Sequence, residues 1–435
     1  MKILNKKLSE EQILIVAVLI LGLLGAAATV TIFLRQRGVW TGDLLIYWQC
    51  SAYSVRGITV AEAAAAPLPE IGFKYIVANV IMPWAAVFDQ LIFPGFLPYS
   101  VVKVWYYSCL FFASIFLIWK LFHYFKEQYG FEDERFGLLA AISSVLMSWY
   151  WFDAINTGNP GSLFGILGVL AFFYVREKPV IATILLTFSM CKPQIGGLFF
   201  LAFFLLKYYK VLFGCGGLLC SSWILNSLYT PFIRSVKHLP PLSSQGGGVV
   251  SALFFERIQT GTTQMTTDDF DSLYYGLFDP LRWLGVPILA VMIMSAAAGV
   301  LFVLICFLKL RKTGEHIDPI VLCAVAALAS LFWAYKSQGD GVVIAVCNAF
   351  VILVYLWDRH KTRGKLFCVL AGLVLMNFKI IKYFVRFAFG LPHTIGVTGD
   401  MLLQIVVFSC FFAIYVNSFQ SKECEVRSDK AGEIL

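Results

Sequence analysis

Charged residues are scarce in this chain of 435 residues. Asp, Glu, Lys and Arg make up 14% of the sequence and hydrophobic residues 59%, whereas about 25% of a soluble chain is charged. A water-facing protein of this length could not cover its surface with so few charges. The composition excludes soluble globular, disordered and fibrous proteins, and it predicts an all-α polytopic membrane protein.

Several chemical signatures are also missing. The sequence contains neither a phosphate-binding Gly-x-x-x-x-Gly-Lys-Ser/Thr loop nor a dinucleotide glycine fingerprint, which argues against an ATP-dependent or nucleotide-sugar enzyme. Its eleven Cys follow no metal or disulfide spacing, and most lie in apolar runs, where a free Cys behaves as a small hydrophobe. We expect no metal ion and no other cofactor. The net charge of +8 indicates cytoplasmic connections and not a nucleic-acid partner.

Apolar runs of about 20 residues predict membrane-spanning helices. The stretch 179–208 is too long for one ordinary span, and Pro193 cannot continue a helix without losing a backbone hydrogen bond. We therefore predict two shorter helices that meet at Lys192-Pro193, and twelve spans in all. The other ten runs are 12–34, 99–122, 136–153, 159–175, 210–230, 285–308, 318–334, 340–357, 365–385 and 400–418.

The distribution of Lys and Arg orients these spans. Most of the 34 basic residues fall in short connections on one side if both termini are cytoplasmic and if segment 71–97 lies on the outer surface without crossing. We treat 1–435 as one transmembrane domain. It has an outer loop at 35–98 that carries membrane-surface helices and a second outer loop at 231–284. With this topology the polar turns gather on the outer face.

Asp43 is the first candidate for chemistry at that face. A carboxylate between apolar neighbours at the membrane surface is desolvated, which raises its pKa and suits a general base that takes a proton from a hydroxyl. The alternative is structural, because an Asp before a helix that starts at Leu44 would accept a backbone N–H as an N-cap. Both roles are compatible.

Lys192 is the second candidate, since it sits at the predicted helix break. A cation costs about 2.5–3.5 kcal/mol at the centre of a bilayer, so intramembrane charges tend to be functional. At the outer boundary Lys192 could hold a lipid-linked phosphate. The alternative is a lysine whose stem stays in the apolar phase while its ammonium reaches water.

Further candidates lie in the other outer turns, each with a structural alternative. Asn159 could bind sugar hydroxyls or cap the helix that begins at Pro160, and Lys336 could bind phosphate or form an ion pair with Asp340 inside its loop. The predicted phosphate ligands besides Lys192 are Lys336 and Arg386. The predicted substrate contacts are Tyr47, Asn156, Asn159, Gln194, Tyr335, Asp340 and His393.

Four stretches resemble glycosyltransferase family 87, a bacterial group of GT-C polytopic enzymes that includes polyprenol-phosphate-mannose-dependent alpha-mannosyltransferases. Asp43-Leu44-Leu45-Ile46-Tyr47 resembles the family's Asp-x-x-x-Tyr, whose Asp is the catalytic base. The others are Phe73-Lys74-Tyr75 through Met82-Pro83, Asn156-Thr157-Gly158-Asn159 and Cys191-Lys192-Pro193-Gln194. The chain departs from the family pattern at Pro160-Gly161, and at Lys336–Asp340, where many members carry a His.

The resemblance implies a GT-C-like helical bundle in the bacterial inner membrane with its active site facing the periplasm or exterior. It implies inverting transfer of mannose, or another hexose or pentose, from a polyprenyl-phosphate donor to a glycan or glycolipid acceptor, with Asp43 as the general base and membrane lipids as neighbours. The alternative function is a transporter or flippase of a lipid-linked sugar. That class favours charges near mid-bilayer and repeated halves, and no internal repeat is evident in this sequence.

Overall fold

The secondary structure that the computed structural model describes is helical throughout. It covers residue 20 and residues 42–58, 62–63, 66–72, 83–129, 134–146, 149–240, 276–313, 317–333, 338–357, 365–377 and 393–432. This confirms the predicted all-α class. Three short 3₁₀ helices, Pro83–Ala85, Asp279–Leu284 and Gln338–Val343, connect α-helices.

The α-helices of these ranges are numbered in chain order. They are α1 (Gly42–Ser54), α2 (Ala86–Ile92), α3 (Tyr99–Tyr129), α4 (Glu134–Leu146), α5 (Trp149–Thr157), α6 (Gly161–Tyr174), α7 (Pro179–Met190), α8 (Pro193–Leu205), α9 (Tyr209–Val236), α10 (Ile288–Arg311), α11 (Pro319–Ser330), α12 (Ile344–Trp357), α13 (Lys365–Asn377) and α14 (His393–Gly432).

Four helices in the described ranges are long and apolar enough to cross a membrane. They are Tyr99–Glu127 in α3, Tyr209–Val236 (α9), Ile288–Arg311 (α10) and Ile395–Ser418 in α14. Large apolar side chains on these helices are exposed, for example Phe112, Phe213 and Ile293. A helix face of this kind needs an apolar environment, so the long helices support a membrane protein. The finer prediction of twelve spans stays a prediction.

The short apolar helices α6 and α11 lie in the interior of the bundle. All twelve residues of α11 and most of α6 are buried, and α6 packs against α3, α7 and α8. A helix that is hydrophobic all round belongs inside a larger assembly. Helices α6, α7, α8 and α11 have 12 to 14 residues, or roughly 18–21 Å at 1.5 Å per residue. They are therefore shorter than the roughly 30 Å hydrocarbon core of a bilayer.

The predicted helix break at Lys192-Pro193 is present. Helix α7 ends at Met190 and α8 begins at Pro193, because a proline is tolerated in the first turn of a helix but not in its interior. The two helices pack against each other. Gly196 permits this close approach, since a Cβ there would lie 2.6 Å from the Ser189 carbonyl oxygen.

One end of the bundle, here called the site end, gathers connections that were predicted to face outward. Lys192 Nζ contacts Asn159, and the Trp333 indole contacts the Gln194 carbonyl. The 3₁₀ helix 338–343 packs against α5 and α6. The site end therefore comprises residues 158–160, 191–194, 333 and 338–343.

The opposite end, here called the basic end, gathers connections that were predicted to face inward. Tyr124 donates a hydrogen bond to Asp318 at 2.5 Å, and Arg176 Nε donates one to Tyr208 Oη at 3.3 Å. The Lys120 ammonium lies 4.2 Å from the centroid of the Tyr174 ring. The charge-based orientation, with the basic end in the cytoplasm, stays a prediction.

Part of the predicted surface segment 71–97 is described. It contains the 3₁₀ helix Pro83–Ala85 and the seven-residue helix α2. A helix of this length is about 10 Å long and cannot cross a bilayer. Trp84 Nε1 donates to the Met190 carbonyl oxygen at 3.2 Å, and the Val87 N–H donates to Ser222 Oγ at 3.2 Å, so residues 84–87 lie against α7 and α9.

Candidate functional site

Three predicted site residues meet in one hydrogen-bonded chain at the site end. Asn159 Nδ2 donates to Asp43 Oδ2 at 2.8 Å, and Lys192 Nζ donates to Asn159 Oδ1 at 3.0 Å. Asp43 and Lys192 come from helices far apart in sequence, and one amide connects them. Asn159 is 2% exposed and Lys192 is 7% exposed, while Asp43 is partly buried. The arrangement places a carboxylate, an amide and an ammonium at the edge of the protein interior.

Asn159 is held in place by the turn between α5 and α6. Gly158 has a φ of +65°, the left-handed conformation that often ends a helix, and its N–H donates to the Ala154 carbonyl oxygen at 2.9 Å. The Gly161 N–H, the first of α6, donates to Asn159 Oδ1 at 2.8 Å. Asn159 therefore bonds the first N–H of α6, although that helix begins at Gly161 and its N-cap position is Pro160, one residue later than predicted. The same oxygen also receives the lysine.

Helix α3 fixes the backbone of this turn. Tyr106 Oη donates to the Asn159 carbonyl oxygen at 2.8 Å, and Tyr107 Oη donates to the Ile155 carbonyl oxygen at 2.7 Å. Tyr106 is fully buried. Sequence inspection missed both tyrosines, because nothing in the apolar run of α3 distinguishes a tyrosine that faces the site from one that faces lipid.

Lys192 occupies the N-terminal boundary of α8. Its φ and ψ are −121° and 86°, an extended conformation that the residue before a proline favours. Its carbonyl oxygen accepts hydrogen bonds from the Ile195 and Gly196 N–H groups at 2.8 and 3.0 Å. Since the side chain is buried and its ammonium donates to Asn159, the alternative of a lysine whose ammonium reaches water does not describe it.

Asp43 lies inside the first turn of α1, which begins at Gly42. The structural alternative had predicted a helix starting at Leu44 with Asp43 as its N-cap, and the helix begins two residues earlier. An acidic side chain in the first turn still interacts favourably with the helix dipole. The contact from Asn159 shows that Asp43 also has a tertiary partner.

Two other predicted contacts, Tyr47 and Gln194, lie near this chain. Tyr47 is one turn along α1 from Asp43, and its ring centroid is 5.3 Å from that of Phe93. The Gln194 carbonyl oxygen accepts the Trp333 indole N–H at 2.6 Å. Gln194 Oε1 is buried without a hydrogen-bond partner, so its acceptor capacity remains to be met by water or substrate.

The side chains of the remaining predicted site residues lie outside the part of the chain that the structure describes. Tyr335, Lys336 and Arg386 lie outside the described residues. The backbones of Asn156, Asp340 and His393 belong to helices, but their side chains are outside the description. Their predicted contacts with phosphate or sugar stay predictions. Within the described ranges, no group of three or more His, Cys, Asp or Glu could hold a metal ion.

Asp89 on α2 is an unpredicted polar group behind the α7–α8 turn. Its side chain is 1% exposed, and neither carboxyl oxygen has a hydrogen-bond partner. Burial raises the pKa of this carboxyl well above its usual range. Cys191, the neighbour of Lys192, lies close enough to interact with it electrostatically. A carboxyl in an apolar segment is the sequence signal that could have drawn attention to it.

Comparison with known proteins gives no further constraint, since no family model, no curated protein and no solved structure matches this chain.

Proposed function

We propose that this protein is an inverting membrane glycosyltransferase of the GT-C type that uses a polyprenyl-phosphate sugar as its donor. The observation that carries the proposal is the hydrogen-bonded chain Asp43–Asn159–Lys192. A sugar transfer from a phosphate needs a base for the acceptor and a cation for the leaving group. The hydrogen-bonded series supplies the base and the cation within one site.

Asp43 is the general base in this scheme. It takes the proton of an acceptor hydroxyl, whose oxygen attacks C1 of the sugar from the face opposite the phosphate. The bond between C1 and the phosphate oxygen breaks, and polyprenyl phosphate leaves with the electron pair. A phosphate leaving group needs no protonation, so the second carboxylate that a glycosidase uses is not required.

Lys192 stabilises the leaving group. Negative charge grows on the phosphate in the transition state, and a cation placed beforehand in a buried site has a larger effect there than in water. The ammonium has three N–H donors, and Asn159 Oδ1 takes one of them. Lys336 and Arg386 are the proposed additional phosphate ligands.

The architecture suits a lipid-linked donor. The short apolar helices are shorter than the hydrocarbon core of a bilayer, and the long helices carry exposed apolar faces. If the protein spans a bacterial inner membrane with its basic end in the cytoplasm, the site end lies at the periplasmic leaflet. A polyprenyl chain could then remain in lipid while its phosphate reaches Lys192.

The test is transfer by the purified protein. It is incubated in detergent or liposomes with a panel of polyprenyl-phosphate sugars and with glycan or glycolipid acceptors, and products are analysed by mass spectrometry. Glycosylated acceptor and free polyprenyl phosphate are expected in equal amounts, with inverted configuration at C1. If no donor in the panel is consumed while lipid-linked sugar crosses the bilayer of protein-containing liposomes, the transferase proposal is wrong and the transporter alternative is supported.

A further inference from the structure

Helices α7 and α9 begin side by side at the basic end. Arg176 precedes α7 and Tyr208 precedes α9, and Arg176 Nε donates a hydrogen bond to Tyr208 Oη at 3.3 Å. In the second turn of each helix, a Cβ on Gly214 of α9 would lie 2.8 Å from Cγ2 of Thr183 on α7. Contacts at the start and in the second turn mean that the two helices run parallel, with their N-termini as neighbours.

These two N-termini carry charge of the same sign. A helix N-terminus has unsatisfied N–H groups and a partial positive charge, which an acidic or capping side chain usually offsets. Neither α7 nor α9 has an acid in its first turn, and the boundary residues Lys178 and Tyr208 make no side-chain cap hydrogen bond. Lys178 adds a cation where the helix dipole favours an anion. An anion bound from outside the two helices would offset this charge.

Four cations from three parts of the chain lie at this end of α7 and α9, and they are here called the basic rim. They are Lys120 on α3, Arg176 and Lys178 in the α6–α7 turn, and Lys207 in the α8–α9 turn. They outnumber Glu177, the acid of the α6–α7 turn. Within the described part of the chain, no ion pair joins any of the four to an acidic side chain. The basic rim is therefore not neutralised by the described residues around it.

Aromatic side chains orient two cations of the basic rim. Lys120 Nζ lies 4.2 Å from the centroid of the Tyr174 ring and 5.0 Å from that of Trp119, and the Tyr208 hydroxyl accepts the Arg176 Nε–H. These partners are neutral, so they hold the cations without cancelling their charge. An ammonium over a ring and a guanidinium with one N–H engaged keep further N–H donors for a phosphate.

The basic rim adjoins apolar surface. Val180 in the first turn of α7 is 71% exposed, and Phe213 in the second turn of α9 is 81% exposed. Trp119, beside Lys120, is also exposed, and α3 and α9 are both candidate membrane spans. A phospholipid places its phosphate directly next to its acyl chains, so it fits a basic pocket with apolar flanks. A free inorganic anion would gain nothing from those flanks.

We propose that the basic end carries a binding site for an anionic phospholipid between α3, α7 and α9. The lipid phosphate lies at the two helix N-termini and pairs with the basic rim, while the acyl chains lie along the exposed faces of α7 and α9. This site is at the opposite end of the bundle from Lys192, and it does not depend on the proposed sugar transfer.

Lipid titrations of the purified protein in detergent test the proposal. Native mass spectrometry counts bound phosphatidylglycerol and phosphatidylcholine with the same acyl chains, and the wild type should bind phosphatidylglycerol more tightly. Arg176→Gln combined with Lys178→Gln should weaken phosphatidylglycerol binding roughly fivefold per cation, or about 30-fold in all, and leave phosphatidylcholine binding unchanged. The matched control is Lys309→Gln combined with Lys312→Gln, which removes two exposed lysines at the end of α10. This control should bind phosphatidylglycerol like the wild type.

A charge-preserving exchange separates a loss of charge from a loss of structure. Arg176→Lys combined with Lys178→Arg keeps both cations and should bind phosphatidylglycerol with an affinity close to that of the wild type. Thermal unfolding shows whether each variant is folded. If the exchange variant unfolds at the wild-type temperature but has lost the lipid as fully as the glutamine variant, the charges of the basic rim do not bind it and the proposal is wrong.

Three further results would overturn the site. Equal losses in the basic-rim variant and the α10 control would indicate a general attraction between cations and anionic lipid. Equal affinities of the wild type for the two lipids would show that the headgroup charge is not recognised. Inorganic phosphate alone, if it raised Tm as much as phosphatidylglycerol does at the same concentration, would identify a free anion as the occupant. None of these measurements involves sugar transfer, so each outcome leaves the proposed function untouched.

Discussion

Trp333 donates its indole N–H to the Gln194 carbonyl oxygen across 2.6 Å, which ties the residues after α11 to the first turn of α8. Two glycines make room for this ring. A Cβ on Gly197 would lie 2.7 Å from the Trp333 Cη2 atom, and a Cβ on Gly299 of α10 would lie 2.2 Å from the Trp333 Cβ. Trp333 therefore holds the turn that carries Lys192.

Trp333→Phe should keep most of the packing and remove the hydrogen bond. We expect a loss of about 1 kcal/mol in stability and a higher KM for the donor, because the Lys192 turn loses a support. Thermal unfolding in detergent and donor titrations measure the two effects. Trp223→Phe, at a tryptophan that is 53% exposed on α9, is the control. Equal effects of the two substitutions would contradict the role of Trp333.

Asp43→Asn should leave the protein folded, because the amide preserves the shape of the side chain, and should reduce kcat by about 10²–10⁴-fold through loss of the general base. The comparison variant is Glu177→Gln, the same chemical change at an exposed residue of the basic end. Rates are measured with saturating donor and acceptor. Transfer at the wild-type rate by Asp43→Asn would remove the assignment of the base.

Lys192→Met keeps an unbranched apolar stem and removes the charge. Its KM for the donor should rise more than its KM for the acceptor, and kcat should also fall, because the cation acts on the phosphate in the ground state and more strongly in the transition state. Steady-state kinetics with each substrate varied in turn measure the difference. Lys210→Met, at an exposed lysine near the basic end, should have neither effect. Equal increases in both KM values would argue against a phosphate contact.

Gly158→Ala should disturb the turn that positions Asn159. The added Cβ would lie 2.7 Å from the Leu44 Cβ, and the backbone conformation with φ +65° disfavours a side chain. We expect a loss of about 1–3 kcal/mol in stability together with reduced activity. Gly217→Ala is the matched control, because nothing lies within 4 Å of its added Cβ in the middle of α9, where alanine favours a helix by about 1 kcal/mol. If Gly158→Ala changes neither stability nor activity, the turn does not depend on glycine.

Asp89 should make the stability of the protein depend on pH. Burial raises the pKa of its carboxyl in the folded state, so the folded protein keeps a proton that the unfolded chain releases above about pH 4. The folded protein is therefore most stable below the pKa that Asp89 has in the unfolded chain. It loses stability as the pH rises toward the pKa that Asp89 has in the folded protein. Asp89→Asn carries no such proton and should therefore gain stability relative to wild type between pH 4.5 and 8.

Thermal unfolding of both proteins in detergent across that range measures the effect. The difference in Tm should grow by at least about 2 °C toward pH 8, which corresponds to about 2 kcal/mol for a protein of this size. A constant difference in Tm would mean that Asp89 ionises in the folded protein as it does in the unfolded chain.

Local chemistry allowed part of the fold and site to be predicted from the sequence. The break at Lys192-Pro193 follows from the missing N–H of proline, and the contact of Asn159 with the start of α6 follows from the side chains that favour a helix start. The common location of Asp43, Asn159 and Lys192 follows from the distribution of basic residues between alternate connections. Each of these predictions depends on a property that a residue carries with it into any fold.

Other features depend on tertiary packing and could not be read from the sequence. The orientation of the Asn159 amide is set by partners from three separate segments. Tyr106 is one of several aromatic residues on an apolar helix, and only the packing of α3 against α6 directs it to Asn159. Asp89 lies in a segment whose path was ambiguous, so its burial was not predictable. Interruptions of an apolar run indicate polar positions but do not identify their neighbours.

The separation of the site residues along the chain has a consequence for biosynthesis. Asp43 precedes its partner Asn159 by 116 residues, and Lys192 follows Asn159 by a further 33. At roughly 5–20 residues per second, Asp43 is synthesised about 6–23 s before its amide partner. During that interval Asn159 cannot yet donate its hydrogen bond to the carboxylate of Asp43. Membrane insertion of the nascent chain is therefore a stage at which a substitution distant from Asp43 could still prevent the site from forming.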